Sequence, residues 1–368
     1  MSEASRGKPS RLLIVGAYGV VGEQIAEIMA REHPSVELWL AGRSLEKAAA
    51  LASNIPASIA CRIDIEDADP LCGLEAMPDL ILAVANDASN NLLRAALDRN
   101  IAYIDITRWT ERMVHAGDYV RARKPSQPVL LASGWMAGVV ATVSAHLASM
   151  FDRVEQLEFD VLFALKDKAG PNSFEYADRL RVPFTVSIGG KSVKKMPLSD
   201  PKQVAFSGGR TFTAVRFDTP DQVTLPGDLG IPTVASRVTY DDAKVMGFMR
   251  FMVGSGIWSV LSLPLFDSLR RSLLFNPGPG APHEVQITAA GKRADGSEAR
   301  ETGTLVDPLG QTHMTAIGAV LQIERVLGLS GLAVPISGLS YPEKLADPAR
   351  AVERLKELGL QLLIDPPV

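Results

Sequence analysis

The chain has 368 residues, of which 46% are hydrophobic and 22% are charged, and its formal net charge at pH 7 is −4. This length is enough for two domains with substantial cores. The slightly acidic balance argues against a nucleic-acid partner, since a protein surface that binds nucleic acid is basic. Two cysteines, Cys61 and Cys72, are too few for a disulfide framework, and the first residues contain no apolar signal core. These features predict a cytoplasmic protein.

Short apolar segments alternate with helical segments over residues 11–133, a pattern typical of a parallel doubly wound sheet. The six predicted strands are Leu12–Val15, Val36–Ala41, Ser58–Ile63, Asp79–Val84, Ala102–Asp105 and Pro128–Ala132. The predicted helices between them are Glu23–Arg31, Leu45–Ser53, Ala88–Arg99 and Glu111–Arg123. Six strands with crossover helices predict a complete Rossmann domain.

The pattern changes after Gly134, where a helix to about Ser149 is followed by longer, alternating strands. These predicted strands are Val154–Ala164, Thr185–Ile188, Thr211–Phe217, Glu284–Ala290 and Ala299–Val306. Later helices are predicted over His313–Leu327 and Pro348–Leu358. We therefore predict an α/β protein with three regions. They are a nucleotide-binding Rossmann domain (8–134), a substrate and dimerisation α+β domain with a mixed or antiparallel sheet (135–330), and a tail packing back toward the first domain (331–368).

A glycine-rich turn joins the first predicted strand to the first predicted helix. Its residues are Gly16, Ala17, Tyr18, Gly19, Val20, Val21 and Gly22. Such a turn presents backbone N–H groups and the positive end of a helix dipole to a phosphate. Gly16 would make the tight turn, Gly19 would admit a pyrophosphate, and Gly22 would let the helix pack closely. We predict that all seven residues bind a dinucleotide; the alternative interpretation is an ordinary tight turn.

The second predicted strand ends in Gly42-Arg43-Ser44. A cofactor with a free ribose 2′-hydroxyl usually meets an acidic residue at this position. The guanidinium of Arg43 and the hydroxyl of Ser44 suit a 2′-phosphate instead. We therefore predict NADP rather than NAD as the cofactor, the alternative being a solvated arginine at a strand end.

Three further polar residues follow later strands, where ligands of open α/β sheets bind. Asp64 follows the third strand and is predicted to meet the adenine, although a loop or helix cap explains it equally well. Asn86 follows the fourth strand and is predicted to bond the cofactor. Thr107, just after the fifth strand, is predicted to line the nicotinamide pocket.

Two segments carry competing interpretations. Tyr240-Asp-Asp-Ala-Lys244 has the Y-x-x-x-K spacing of short-chain dehydrogenases, but it lies far beyond the first-domain sheet.

The long apolar segment Val245–Phe266 is interrupted by Arg250 and by helix breakers, so it is a poor membrane span. We predict a buried helix or a subunit interface there, with a membrane-surface contact or an apolar substrate channel as alternatives. The five histidines are scattered, and we predict no metal site.

Several motifs together resemble the saccharopine dehydrogenase-like oxidoreductases. They are Gly16-x-x-Gly19-x-x-Gly22, Gly42-Arg43-Ser44, Ala102-Tyr-Ile-Asp-Ile-Thr107, Gly134-Trp-Met-Ala-Gly138, Met314-Thr-Ala-Ile-Gly318 and Gly338-Leu-Ser-Tyr-Pro-Glu343. The resemblance covers most of the chain and is most specific in the first ~140 residues. It implies an NAD(P)-dependent enzyme with a Rossmann domain and a catalytic α/β domain.

Members of that family interconvert secondary amines and imines, or act on other substrates, so the resemblance implies hydride transfer to or from an imine, an amine or a carbonyl. Trp135 and Met136 are then predicted to form part of the substrate wall. The predicted second domain contains no recognisable arginine cluster for a tricarboxylic amino acid, which argues against saccharopine itself. Two alternatives stay open: an atypical short-chain reductase of an apolar ketone or enoyl group, and a non-catalytic NADP(H)-binding redox sensor. We expect a homodimer, through the second-domain sheet or the apolar segment.

Overall fold

The computed structural model describes residues 9–168, 178–266 and 278–364. The chain divides into two compact units, which are described separately. The first unit contains residues 1–133 and 315–347, and the second contains residues 134–314 and 348–368. The first predicted boundary, after residue 134, lies within one residue of this division.

The first unit is built on a seven-stranded sheet in which every pairing is parallel. Numbered in chain order, its strands are β1 Arg11–Val15, β2 Glu37–Gly42, β3 Ser58–Arg62, β4 Leu80–Ala83, β5 Ala102–Asp105, β6 Pro128–Leu131 and β15 Gly338–Ser340. Their spatial order is β15-β6-β5-β4-β1-β2-β3. Leu12, Leu13 and Ile14 have no exposed surface, because helices cover both faces of a parallel sheet. The predicted Rossmann architecture is confirmed.

Four helices connect the strands of this sheet: α1 Val20–Glu32, α2 Leu45–Ala52, α3 Asn91–Asp98 and α4 Thr110–Arg123. The apolar residues of β1, β2, β4, β5 and β6 form one buried cluster with those of α3 and α4. This packing holds the carboxyl ends of the strands, and therefore the loops that follow them, at one edge of the sheet.

The second unit contains a mixed seven-stranded sheet of order β10-β11-β12-β7-β13-β14-β16. Its strands are β7 Arg153–Phe163, β10 Lys202–Phe206, β11 Arg210–Arg216, β12 Thr233–Tyr240, β13 His283–Lys292, β14 Glu298–Asp307 and β16 Gln361–Ile364; β8 Phe184–Ile188 and β9 Lys191–Lys195 form a separate hairpin. Only the pair β7–β12 is parallel among these described strands. The predicted mixed sheet is confirmed.

The other helices within the described residues are α5 Trp135–Ala148, α6 Asp221–Leu229, α7 Ala243–Gly254, α8 Ile257–Leu261, α9 Gln311–Leu327 and α10 Pro348–Glu357, with short 3₁₀ turns at Ser207–Gly209 and Pro264–Phe266. The apolar helix α5 is almost wholly buried, and it packs against β7, β13, β14 and α10. Among the described residues, no helix is long and apolar enough to cross a membrane.

The structure differs from the sequence expectations in the C-terminal part. The tail over 331–368 is divided: β15 pairs with β6 in the first unit, whereas α10 and β16 belong to the second. Strand β16 was not predicted because its apolar residues are too few to show a pattern. The segment 245–266 is not the predicted buried helix, since Phe248 and Phe251 are 56% and 62% exposed.

Candidate functional site

The predicted cofactor residues lie along one edge of the first sheet. Gly16 follows β1, Arg43 follows β2, Asp64 follows β3, Asn86 follows β4 and Thr107 follows β5. The connections run in opposite directions on the two sides of the β1–β4 pair. Ligands of open α/β sheets bind at such a switch point, outside the carboxyl ends of the strands.

The glycine turn packs so closely that Gly16 and Gly22 have no room for a side chain. Gly16 has φ +95°, and a Cβ on it would lie 2.9 Å from the Ala85 nitrogen. A Cβ on Gly22 would lie 2.3 Å from the Gly16 oxygen. Helix α1 is capped by Gly19 without a side-chain bond, and the N–H of Glu23 makes a helical bond to its oxygen. The backbone N–H groups of Val20, Val21 and Gly22 come before this first helical bond, so they have no partner within the helix. Such N–H groups are the donors that a pyrophosphate site needs.

Replacement of Gly22 by alanine is expected to lower the free energy of unfolding by about 1–3 kcal/mol, because the new methyl group meets backbone atoms that cannot yield. It should also weaken NADPH binding by displacing the turn. Denaturant unfolding and NADPH fluorescence titration measure the two effects. The matched control is Gly247→Ala in α7, where nothing lies within 4 Å of the added carbon. Equal behaviour of the two variants would contradict the close approach at Gly22.

Tyr18 and the end of β2 form a polar corner beside the glycine turn. The Tyr18 ring lies against Gly42, where a Cβ would be 2.4 Å from the ring carbon Cε1. The backbone N–H of Ser44 donates to the Tyr18 hydroxyl at 3.1 Å. The ammonium group of Lys47 lies 6.0 Å from the centre of the Tyr18 ring, and Arg43 is exposed. Arg43 and Lys47 therefore both belong to the segment that follows β2, where an NAD site usually has a carboxylate at the strand end; Glu46 lies in the same turn and is also exposed.

Sequence reasoning missed Lys47 as a member of this corner. The signal was present, because Ser44 is the N-cap of α2 and accepts a hydrogen bond from the backbone N–H of Lys47 at 3.2 Å. A residue three positions after an N-cap lies in the first helical turn, close to the strand end. The exposed side chain of Lys47 therefore lies in the same short segment as Arg43.

The other three predicted cofactor residues make bonds within the protein. A carboxylate oxygen of Asp64 accepts the N–H of the residue two positions on, at 3.2 Å. The side-chain oxygen of Asn86 accepts a bond from Arg112. Thr107 is 6% exposed, and its hydroxyl donates to Asp105 at 2.9 Å. Asp64 and Thr107 therefore have structural roles in their loops, and the contacts of all three with a cofactor remain predictions.

A buried ion network lies under this edge and was also missed from sequence. Arg108, 1% exposed, donates through Nε to Asp105 at 2.8 Å, and its Nη2 lies 3.5 Å from Asp87. Tyr103 donates to Asp105 at 3.0 Å, and Asn90 accepts from Arg108. Burial raises the pKa of Asp87. Burial alone would lower the pKa of Arg108, but the charge of Asp105 raises it, so the guanidinium stays charged.

In the second unit, the start of α5 contains a strained turn. Met136, Ala137 and Gly138 are consecutive left-handed residues, with φ of 53°, 51° and 84°. Each non-glycine residue in this conformation costs roughly 1–2 kcal/mol. The buried carboxylate of Asp221 helps to hold the turn, since it accepts the backbone N–H of Trp135 at 2.8 Å. Backbone strain of this kind collects at functional sites; the substrate role of Trp135 and Met136 stays a prediction.

Aromatic side chains line up beside Trp135 at one end of the second sheet. Its ring lies 5.7 Å from Phe163 and 6.0 Å from Phe217, measured between centroids. Phe163 in turn lies 5.9 Å from Tyr240 and 5.6 Å from His283. The register places Tyr240 directly opposite Phe163. Burial lowers the pKa of His283 to about 3, so the imidazole is neutral. We call these five residues the aromatic row.

The short-chain dehydrogenase arrangement is absent from this part of the structure. Tyr240 is the last residue of β12, whereas Lys244 lies in the first turn of α7, with Asp242 between them as the helix N-cap. That mechanism needs both side chains on one helix, so the Y-x-x-x-K spacing is coincidental. Among the described residues, no group of three histidine, cysteine or acidic side chains could hold a metal ion.

Comparison with known proteins agrees with the geometry. Residues 12–129 match the family model of the saccharopine dehydrogenase NADP binding domain. The fold resembles that of apo saccharopine dehydrogenase (L-Glu forming) from Saccharomyces cerevisiae, with TM-score 0.68, 15% identity, and coverage of 98% of this chain and 100% of that one. Residues 12–129 are therefore similar to a saccharopine dehydrogenase NADP binding domain, as their motifs predicted, and the chain shares the fold of saccharopine dehydrogenase.

Two other solved structures align over most of the chain with lower scores. An amine dehydrogenase from Mycobacterium smegmatis has TM-score 0.47 and 10% identity, covering 93% of this chain and 97% of that one. A dihydrodipicolinate reductase from Paenisporosarcina sp. TG-14 has TM-score 0.40 and 16% identity, covering 90% and 97%. No curated protein sequence matches this chain.

Proposed function

We propose that this protein is an NADP-dependent oxidoreductase that transfers a hydride to or from an imine, an amine or a carbonyl compound. The observation that carries the proposal is the corner at the end of β2, where Arg43 directly follows the strand and the ammonium group of Lys47 lies 6.0 Å from the centre of the Tyr18 ring. Charged donors at this position match a 2′-phosphate and have no equivalent partner on NAD. The match to an NADP binding domain supports the same choice.

Each part of the site is proposed to bind a different group of the cofactor. The N–H groups at the start of α1 bind the pyrophosphate, the corner binds the 2′-phosphate, and the Asp105–Arg108 network fixes the loops after β4 and β5. Asn86 and Thr107 are placed beside the nicotinamide as proposed contacts. The bound cofactor supplies or accepts the hydride, and the protein orients it and excludes water.

On the substrate side, we propose that Trp135 and Met136 form part of the wall, with the aromatic row continuing from it. Flat apolar rings suit a planar imine or carbonyl group better than a substrate with several carboxylates. Arg216 and Arg237 face each other in the second sheet, where Arg216 lies 3.5 Å from Asp200 and Arg237 donates to Glu158; buried nitrogens of both guanidinium groups have no hydrogen-bond partner, so these arginines do not decide between the substrates. Saccharopine is not proposed as the substrate.

Replacement of Arg43 by alanine is expected to weaken NADPH binding by about 10- to 100-fold, which corresponds to roughly 1–3 kcal/mol for a charge-assisted phosphate contact. Binding of NADH should change little, because NADH has no 2′-phosphate. We expect Lys47→Ala to act in the same direction, and Arg31→Ala, an exposed arginine of α1, to be the matched control. Fluorescence titration with both nucleotides measures this. An equal loss for NADPH and NADH would contradict the 2′-phosphate assignment.

Catalysis itself is tested by incubating the protein with stereospecifically deuterated NADPH and a panel of cyclic imines and ketones. Transfer of deuterium from one face of the nicotinamide supports the oxidoreductase. Tight NADPH binding without transfer to any compound would favour a redox sensor.

A cytoplasmic location and a homodimer through the second sheet also remain proposals. The free thiols of Cys61 and Cys72 agree with a cytoplasmic location, and light scattering tests the homodimer.

A further inference from the structure

Arg112 joins the start of α4 to the loop that follows β4. Its guanidinium donates to the side-chain oxygen of Asn86 and to the backbone oxygen of Asp87. The same group lies over the ring of Trp109, 4.8 Å from the ring centroid. These contacts hold the planar guanidinium between the helix and the loop, and they restrict its orientation.

The position of Arg112 within α4 is electrostatically unfavourable. Trp109 is the N-cap of this helix, so Arg112 is the third helical residue. The N-terminal turn of a helix carries a partial positive charge, which favours acidic side chains and disfavours cations. The helix therefore gains no stability from an arginine at this position. The bonds to the loop after β4 account for the residue better.

The loop after β4 lies against the glycine turn. The N–H of Ala85 donates to the oxygen of Val15 at 3.1 Å, and a Cβ on Gly16 would lie 2.9 Å from the Ala85 nitrogen. Asn86 is the next residue. In a Rossmann sheet, each half of a dinucleotide lies over one half of the sheet. Because the adenosine half is proposed to lie over β2, the nicotinamide half belongs over β4, on the side of Asn86.

The bond from Arg112 decides which atoms of the Asn86 amide face a ligand. A guanidinium has only donors, so the amide atom that meets it is the oxygen. A hydrogen bond from a charged donor is stronger than one between neutral groups, and this orientation of the amide is therefore favoured over the flipped one. The amide nitrogen, with its N–H donors, occupies the other branch of the planar group.

We propose that Arg112 is a positioning residue, which fixes the amide of Asn86 so that its N–H donors meet the nicotinamide half of the bound dinucleotide. A donor suits the carbonyl oxygen of the nicotinamide carboxamide and does not suit its amino group. Without Arg112 the amide turns over freely, and its oxygen then meets the same carbonyl part of the time. The inference rests on the proposed binding of NADP.

A double-mutant cycle on NADPH binding tests whether Arg112 acts through Asn86. Fluorescence titration compares the parent with Arg112→Met, Asn86→Ala and the double variant; methionine keeps the unbranched stem but has no donor. We expect each single change to weaken NADPH binding about tenfold, as the loss of one hydrogen bond predicts. The double variant should bind no more weakly than Asn86→Ala alone. Losses that multiply would overturn the proposal, since Arg112 would then act independently of Asn86.

A ligand without nicotinamide separates positioning from a general displacement of the site. Calorimetric titration with 2′-phosphoadenosine 5′-diphosphoribose should give the same affinity for the parent, Arg112→Met and Asn86→Ala. An equal loss for this ligand and for NADPH would overturn the proposal. Asn86→Asp keeps the shape of the side chain and its partner Arg112 but has no donor, so it should weaken NADPH binding at least as much as Asn86→Ala. Parent-like NADPH binding by this variant would contradict a donor role.

The matched control is Arg123→Met, near the other end of α4. Arg123 also lies over an aromatic ring, 5.1 Å from the centroid of Tyr119, and it donates to Asp98 at 2.9 Å. This variant should bind NADPH as the parent does, and thermal unfolding shows that each variant is folded. A parent that binds no NADPH would overturn the proposed function and this inference together. A parent that binds NADPH, with Arg112→Met no weaker than the control, would overturn this inference alone.

Discussion

Replacing Arg108 with methionine is expected to lower the free energy of unfolding by about 3–5 kcal/mol, the range for breaking a buried ion pair from one side. The change leaves Asp105 and Asp87, both at most 1% exposed, without their cation. Asp105 keeps the bonds from Tyr103 and Thr107, but no positive charge then balances the two carboxylates. Denaturant unfolding measures the loss.

The matched control for this prediction is Arg62→Met, which makes the same chemical change at a surface pair. Arg62 has a 60% exposed side chain and lies 4.0 Å from Asp64, so we expect a change within about 0.5 kcal/mol. Because Arg108 also fixes the loops after β4 and β5, its variant should bind NADPH more weakly even where it is folded. A loss of stability no larger than that of the control would show that the network is not a structural support.

Replacing Asp221 with asparagine is expected to stabilise the protein at neutral pH. Burial raises the pKa of Asp221 from 3.8 to about 6. The folded protein therefore keeps a proton that the unfolded chain releases, and stability falls as the pH rises from about 4 to about 6. A shift of about two pKa units corresponds to about 3 kcal/mol. The amide removes this cost and still accepts the Trp135 N–H.

The measurement is the free energy of unfolding at pH 3.5, 5 and 8 for both proteins. We expect the two curves to agree at the lowest pH and to separate by up to about 3 kcal/mol at the highest. Asp118→Asn, whose parent side chain is 66% exposed, removes the same charge at the surface and should show no such separation. A variant less stable than the parent at pH 8 would mean that the ionised carboxylate is needed to hold the strained turn.

The strands of the first sheet were predictable because each is a short buried run of apolar residues between turn signals. β1, β2 and β5 begin and end within about one residue of the predicted strands. The strands β9 and β10 were not predictable from sequence, because β9 is short and mostly polar and β10 has only three consecutive apolar residues; both are paired in antiparallel ladders. These strands are held by backbone hydrogen bonds to neighbouring strands, and such bonds produce no alternation of apolar and polar residues in the sequence.

The candidate site divides in the same way. Gly16, Gly19 and Gly22 are recognisable because a strand-to-helix turn is local, and the positions of Arg43 and Ser44 depend only on where β2 ends. The position of Lys47 could not be predicted in this way, because it depends on how the first turn of α2 packs against Tyr18. Asp221, 86 residues from its partner Trp135, has no local pattern that connects it to the turn.

The sequence by itself determined the Rossmann architecture of the first unit, since hydrophobic periodicity and glycine spacing are local patterns that extend over a few residues. It also placed the predicted cofactor residues at one edge of the sheet, because parallel strands end at the same edge; their contacts with a cofactor stay predictions. Only the tertiary structure decided which side chains share a buried charge, which carboxylate takes a proton, and that the segment 245–266 buries Met246 and Trp258 but exposes Phe248 and Phe251. Those properties depend on burial and on partners distant in the chain, which no local pattern records.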